Sequence, residues 1–307
     1  MSLLAVGSMA FDDIETPFGK SDKIIGGAAT YIAWAAANFT YPVNVVSVVG
    51  GDFPKSEMQA LIERGANLDG VEIKEQDKSF YWAGKYHLDM NTRDTLVTEL
   101  NVLADFEPKL PAGYRQDDYL ILGNLNPSVQ TSVLDQMEKR PKLIALDTMN
   151  FWMDTALEEL KTVISRIDVL LINDSEARQL SGEHSLVKAA KKIFTMGPRY
   201  LVIKKGEHGA LLFHENQAFF APALPLEEVF DPTGAGDTFA GGFMGHLART
   251  DDPSFENMKT AIIVGSAMAS FCVEEFGTQK LRSISRADIE KRIRRFIELV
   301  SFNINLD

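Results

Sequence analysis

Six short runs of this chain are apolar almost without interruption: residues 3–7 (LLAVG), 43–50 (VNVVSVVG), 119–124 (YLILGN), 142–147 (KLIALD), 169–173 (VLLIN) and 200–205 (YLVIKK). A strand with one face in water alternates apolar and polar residues, whereas a strand covered on both faces does not. Segments with helical periodicity separate the runs. The pattern predicts an α/β fold with a doubly wound, mostly parallel sheet flanked by helices. Several runs end on a polar residue: Asn124, Asp147, Asn173 and Lys204. Open parallel sheets bind ligands outside the carboxyl ends of their strands, which makes these residues candidates for one shared site. Capping of a turn is the alternative for each.

Two stretches break the pattern. Residues 12–25 (DDIETPFGKSDKII) are polar and turn-rich. Residues 71–98 combine VEIK alternation, the aromatics Phe80, Tyr81, Trp82 and Tyr86, and an NTRD turn at 91–94 followed by TLVTEL. Alternation on both sides of a turn predicts an antiparallel hairpin, and its aromatics need something to cover. The expectation is a small β-sheet lid made of 12–25 and 71–98, over a main α/β domain made of 1–11, 26–70 and 99–307. An edge extension of the main sheet, or a dimer contact, is the alternative. Residues 283–300 read as a closing amphipathic helix with a solvated Arg and Lys face.

Composition narrows the function classes. With 31 Lys+Arg against 43 Asp+Glu, the net charge is −12, which weighs against a nucleic-acid or membrane-surface partner. Cys272 is the only cysteine, so no intramolecular disulfide or Cys-rich zinc site is expected. The five histidines, at 87, 184, 208, 214 and 246, lack His-x-x-x-His spacing. The apolar run 261–273 is too short to span a bilayer. The amino terminus reads as a first strand with no basic n-region, and the expected location is the cytoplasm.

The sharpest motif runs from Asp231 to Phe243, DPTGAGDTFAGGF. Proline and glycine mark a turn, and the residues after it suit a helix, so Gly234 to Asp237 are expected at a helix amino terminus. Amide groups there have no intrahelical partner, and the helix dipole adds positive potential. Glycines let a phosphate approach the main chain. Asp237 would be a carboxylate beside that anion pocket, able to take a proton from an attacking alcohol. An acid in a first turn also simply stabilises the dipole. The run is neither a Walker A loop, since no Gly-Lys-Ser/Thr follows, nor a G-x-G-x-x-G dinucleotide fingerprint, since residue 239 is Phe.

DPTGAGD resembles the D-T-x-G-A-G-D signature of the ribokinase or PfkB family of carbohydrate and nucleoside kinases. Five further stretches, in family order, resemble that family's motifs: GSMAFDD (7–13), GGAATYIAWAAA (26–37), VSVVGGDFP (46–54), NDSEARQLSG (173–182) and KKGEHGALL (204–212). The resemblance implies a ribokinase-like fold and an ATP- and Mg²⁺-dependent kinase acting on a hydroxymethyl group of a sugar. The alternatives are a nucleoside kinase of the adenosine-kinase type, with Phe80, Trp82 and Tyr86 stacking on a base, or a non-catalytic ligand-binding protein on the same fold.

The resemblance also implies roles for residues. Asp237 becomes the catalytic base, and Gly234, Ala235 and Gly236 an anion hole. Asp12, Gly26, Gly27, Tyr31 and Asn124 would meet the acceptor. Asn173 and Glu176 would organise Mg²⁺, Glu176 through water, although Glu176 also suits an ordinary helix cap. Lys204, Gly206, Ser266 and Gly277 would border the nucleotide, and Asp231 matches a monovalent-cation position, suggesting K⁺. A homodimer through the lid is compatible with this. The chain departs from ribokinases at Tyr31, where they place Asn, at GNLNP (123–127), which lacks their acidic ligand, at Phe-Pro-Lys-Ser after Asp52, and at EEFGT (274–278), acidic where many members are basic. These departures concern the acceptor pocket more than the transfer machinery.

Overall fold

The computed structural model describes residues 1–301. In chain order, β1 (Leu3–Val6) leads into a hairpin of β2 (Ala10–Thr16) and β3 (Gly19–Gly26), then α1 (Ala28–Ala36), β4 (Val43–Gly50), α2 (Lys55–Arg64) and β5 (Ala66–Lys74). A second hairpin, β6 (Phe80–Tyr86) and β7 (Arg93–Glu99), precedes β8 (Tyr119–Leu122), α3 (Pro127–Gln136), β9 (Leu143–Asp147), α4 (Asn150–Thr155) and α5 (Leu157–Ile164). Next come β10 (Val169–Asn173), α6 (Asp174–Ser181), α7 (Leu186–Phe194), β11 (Tyr200–Lys204), β12 (Ala210–His214) and β13 (Gln217–Ala221). Four helices close the chain: α8 (Ala235–Thr250), α9 (Phe255–Cys272), α10 (Gln279–Ser283) and α11 (Arg286–Val300).

All six apolar runs become strands of one nine-stranded sheet, ordered β13-β12-β11-β10-β9-β8-β1-β4-β5. The pairs from β5 to β11 are parallel. The pleat explains why the runs do not alternate. Leu3, Ala5, Val169, Leu171 and Val202 pack with α1, α8 and α9 on one face, while Leu4, Val6, Leu170, Ile172 and Ile203 pack with α3, α5, α6 and α7 on the other. Both faces are dry, so nearly every position within the strands is apolar; the buried Asn44 and Ser47 of β4 are exceptions.

The second sheet has four strands in the order β3-β2-β6-β7, with β2 parallel to β6 and each hairpin antiparallel. Its chain segments differ from those expected. VEIK (71–74) lies in β5 and pairs with β4, Ser47 opposite Val71 and Gly50 opposite Lys74. It alternates because β5 is the half-exposed edge of the large sheet, a position that shows the same period as a lid strand. The second lid piece starts at Phe80, and the first spans Ala10 to Gly26. The antiparallel pair β12 and β13 was not expected either; its turn passes through Glu215 at φ 49°. No helix among the described residues is long and apolar enough to cross a membrane.

One buried acid ties the amino ends of the central strands together. Asp168 accepts from the Ile144 N–H (2.9 Å), from Arg140 (3.0 and 3.3 Å) and from Arg199 (3.2 Å). Asp168→Ala leaves the buried Ile144 amide without a partner, while both arginines can turn to water. The expected loss is about 1–3 kcal/mol of unfolding free energy, read from urea denaturation, with ligand binding at the opposite ends of the strands unchanged.

Candidate active site

Adjacent strands β9, β10 and β11 end on Asp147, Asn173 and Lys204. Lys204 Nζ donates to Asp147 Oδ2 at 2.6 Å, with only 17% and 7% of the two side chains exposed. Burial alone would push the lysine pKa down, but the negative charges of Asp147 and then Glu176 outweigh it and hold the pKa above its usual value. The Thr148 N–H donates to the other oxygen of Asp147 at 2.9 Å and fixes the carboxylate.

The Asp231–Phe243 motif starts α8 facing this pair. Gly234 adopts φ 74°, and a Cβ there would run into the Tyr31 ring, so the turn requires glycine. Ala235 N–H donates to Pro232 O at 3.2 Å, while the amides of Gly236 and Asp237 find no carbonyl acceptor, as expected for a helix start. Lys204 Nζ would stand 3.1 Å from a Cβ on Gly236. An anion held by the two amides would therefore meet a fixed cation. Asp237 is half-buried in the same turn. Burial and then Asp147 push its pKa well above the usual carboxylate range, against the pull of Lys204 and Arg93.

Asn173 and Glu176 form a reciprocal cap on α6: Asn173 Oδ1 accepts from Glu176 N–H at 2.8 Å, and Glu176 Oε2 accepts from Asn173 N–H at 2.7 Å. The cap alternative is thus realised, yet it engages only one oxygen of Glu176. Burial pushes Glu176 up to about 7, opposed by Lys204 and reinforced by Asp147.

Asp12 on β2 is buried and pushed up to about 8, first by burial, then by Asp231 and Asp237. A Cβ on Gly26 would collide with its carboxylate, and one on Gly27 would meet Ser8 O at 2.5 Å. The Gly-Gly pair thus lets β3 and α1 close around Asp12 and Ser8. Ser8 also accepts the first amides of α1, through Oγ from Ala28 (3.1 Å) and O from Ala29 (2.9 Å).

Tyr31 is 1% exposed and lies beneath the Gly234 turn, its hydroxyl without a partner. Its ring fills the space under the glycine, where a Cβ would collide with it. Asn124 is tied at both ends to α4, accepting from Trp152 Nε1 (2.9 Å) and donating to Met149 Sδ (3.0 Å). Asp231 accepts from the Thr233 (2.8 Å) and Gly277 (3.0 Å) amides. Gly277 thereby joins the Asp231 loop and packs against Ile24 of β3. Ser266 is half-buried on α9.

The small sheet closes over these groups. The Tyr86 hydroxyl lies 3.2 Å from Thr233 Oγ1, and a Cβ on Gly206 would collide with the Asn91 amide at the hairpin tip. Trp82 carries the Arg93 guanidinium 5.4 Å above its ring. Trp82 and Tyr86 are thus already engaged, one with a cation and one with the motif loop. Sequence reasoning missed Arg93, which sits in a polar turn like any solvated cation, and it gave Asp147 no role beyond its strand-end position.

Comparisons with known proteins bear on the family and the fold. Residues 8–284 match the family described as pfkB family carbohydrate kinase. A cytidine kinase of Thermococcus kodakarensis is 30% identical over 255 residues, covering 81% of this chain and 89% of that protein. The fold superimposes on an aminoimidazole riboside kinase from Salmonella enterica complexed with aminoimidazole riboside and an ATP analogue, with a TM-score of 0.76, 20% identity, and coverage of 95% of this chain and 100% of that one. It also superimposes on an E. coli protein described as a ribokinase II in complex with ATP and Mg²⁺, with a TM-score of 0.78, 17% identity, and coverage of 96% and 99%.

Gly234→Ala adds both the backbone strain of φ 74° and the collision with Tyr31. It should lower the unfolding free energy by about 1–3 kcal/mol. Gly113→Ala, where a Cβ meets nothing within 4 Å, should stay within about 0.5 kcal/mol of wild type in the same urea titration.

Proposed function

The chain belongs to the PfkB family of carbohydrate kinases, and we propose that it transfers the γ-phosphate of ATP to the hydroxymethyl group of a sugar ring carried by a nucleoside. The observation that carries the chemistry is Asp237 in the first turn of α8, beside Lys204 and two amides that bond no carbonyl among the described residues. In the proposed reaction the acceptor oxygen bonds to the γ-phosphorus as the bond from that phosphorus to the β,γ-bridging oxygen breaks, leaving ADP. The hydroxyl proton passes to Asp237. The Gly236 and Asp237 amides and Lys204 take up charge on the transferring group. Asp12 orients the acceptor, and the closed small sheet keeps water from competing.

Mg²⁺, when bound, neutralises phosphate oxygens. The residues present suit it: Asn173 and the second oxygen of Glu176 are hard donors. Among the described residues no group of three or more His, Cys, Asp or Glu forms a metal cage, so phosphates and water would complete the shell. A monovalent cation such as K⁺ beside Asp231 belongs to the same proposal. So do a cytoplasmic location and a homodimer, for which β7 offers an edge exposed along its length.

A nucleoside acceptor is favoured over free ribose by the relative named as a cytidine kinase, and by the missing ribokinase ligands at Tyr31 and at 123–127. A non-catalytic role is disfavoured because Asp237 and its glycines are intact.

Asp237→Asn should lower kcat about 10²–10⁴-fold with an unchanged melting temperature, measured by coupled ADP release with a panel of nucleosides and sugars. A variant within a few-fold of wild type on its best acceptor would sink the assignment. The pH dependence follows from the raised Asp237 pKa: the base is ionised only above it, so kcat/KM for ATP should fall on acidification at a pH above the ordinary carboxylate range. Asp147→Asn removes the negative charge that raises this pKa and leaves Lys204 uncompensated. Both effects favour ionised Asp237, so the acidic limb should move to lower pH.

A further inference from the structure

Arg93, exposed on the small sheet, is among the described residues the guanidinium whose charge acts on Asp12, Glu176 and Asp237 together. It stands on β7 in the small sheet, as Asp12 does on β2, while Glu176 and Asp237 stand on α6 and α8. Among the described residues its hydrogen-bond partner is the Tyr86 hydroxyl, at 3.4 Å. Its neighbour Asp94 turns away to His87 at 2.9 Å. Arg93 thus faces the anion site with most of its donors free, an arrangement of little use for stability and well suited to a polyanion.

Its aim is set from below and from the side. The Trp82 ring lies under the guanidinium, and that ring lies flat because residue 84 is glycine: a Cβ there would cut into the indole. Tyr86, 4% exposed, accepts from Arg93 and shares its hydroxyl with Thr233 Oγ1 at 3.2 Å. Thr233 directly precedes the Gly234 turn that opens the anion hole. Tyr86 therefore bonds the arm that carries the arginine to the loop that carries the amides.

We propose that Arg93 is a catalytic residue delivered by the small sheet to the transferring phosphoryl group, and that Tyr86, by joining Arg93 to Thr233, is the positioning residue that makes transfer depend on closure. This rests on the kinase reading above. As the bond from the γ-phosphorus to the bridging oxygen breaks and the bond to the acceptor oxygen forms, charge accumulates on the three equatorial oxygens. The guanidinium neutralises it there, while the proton goes to Asp237. With the sheet open the cation is absent, so water entering the open site would meet an incomplete catalyst.

The test uses Arg93→Gln, Arg93→Lys and Tyr86→Phe, with Lys85→Gln as control: Lys85 removes the same charge from an exposed position on β6 paired with Glu15. Arg93→Gln should lower kcat for transfer at least about 10²-fold, with acceptor KM within a few-fold, and Arg93→Lys should recover part of the loss. Tyr86→Phe should lower kcat about 5–30-fold and raise the ratio of ATP hydrolysis to transfer, at unchanged melting temperature. Independently of activity, calorimetric titration of the metal-free protein with inorganic tripolyphosphate should be weakened at least about tenfold by Arg93→Gln, and not by Lys85→Gln. The proposal is overturned if Arg93→Gln keeps kcat within threefold, if tripolyphosphate binds wild type and Arg93→Gln alike, or if Tyr86→Phe changes only stability. A wild-type protein that binds tripolyphosphate through Arg93 but transfers nothing contradicts the kinase reading instead.

Discussion

Two backbone amides at the start of α8 have no carbonyl to bond, and much of the surrounding structure exists to leave them so. Gly234 must reach φ 74° to turn the chain into the helix, and Tyr31 fills the space that a side chain at 234 would otherwise need. Asp231 holds the preceding loop by accepting from Thr233 and Gly277. Two glycines of the motif are thus explained by close approach, to Tyr31 at 234 and to Lys204 at 236. A helix start kept open in this way attracts an anion through its dipole and donors.

The electrostatics around that helix start are unusual for a protein of net charge −12. Asp12, Asp147, Glu176, Asp231 and Asp237 crowd one region, and burial raises the pKa of Asp12, Glu176, Asp231 and Asp237. The cations that answer them are Lys204, pinned to Asp147, and Arg93, carried on the small sheet. Attraction for a nucleotide cannot come from the overall field. It has to come from local amides, these two cations and a divalent metal, which also relieves the repulsion among the acids.

Much of the fold was legible because a strand dry on both faces leaves a near-continuous apolar run, and six such runs leave few alternatives. VEIK misled because an edge strand of the large sheet and a strand of a lid share the same period. The motif segments were legible as segments; what they contact was not. That Gly26 makes room for Asp12, that Tyr31 lies under Gly234 and that Asn124 is consumed by α4 are facts of packing between residues far apart in the chain. Arg93 was hidden most completely. A lone arginine in a polar turn has no local signature, and its significance comes only from where the hairpin folds.

Phosphoryl transfer to a nucleoside hydroxymethyl group leaves a product that phosphorus NMR of one reaction identifies. With ATP, Mg²⁺ and either cytidine or ribose, the expected result is a new phosphomonoester on the hydroxymethyl carbon of the nucleoside and an equimolar amount of ADP, with kcat/KM for the nucleoside exceeding that for ribose by at least about a hundredfold. ATP that binds yet stays intact with every hydroxymethyl acceptor, or that yields only inorganic phosphate, would contradict it.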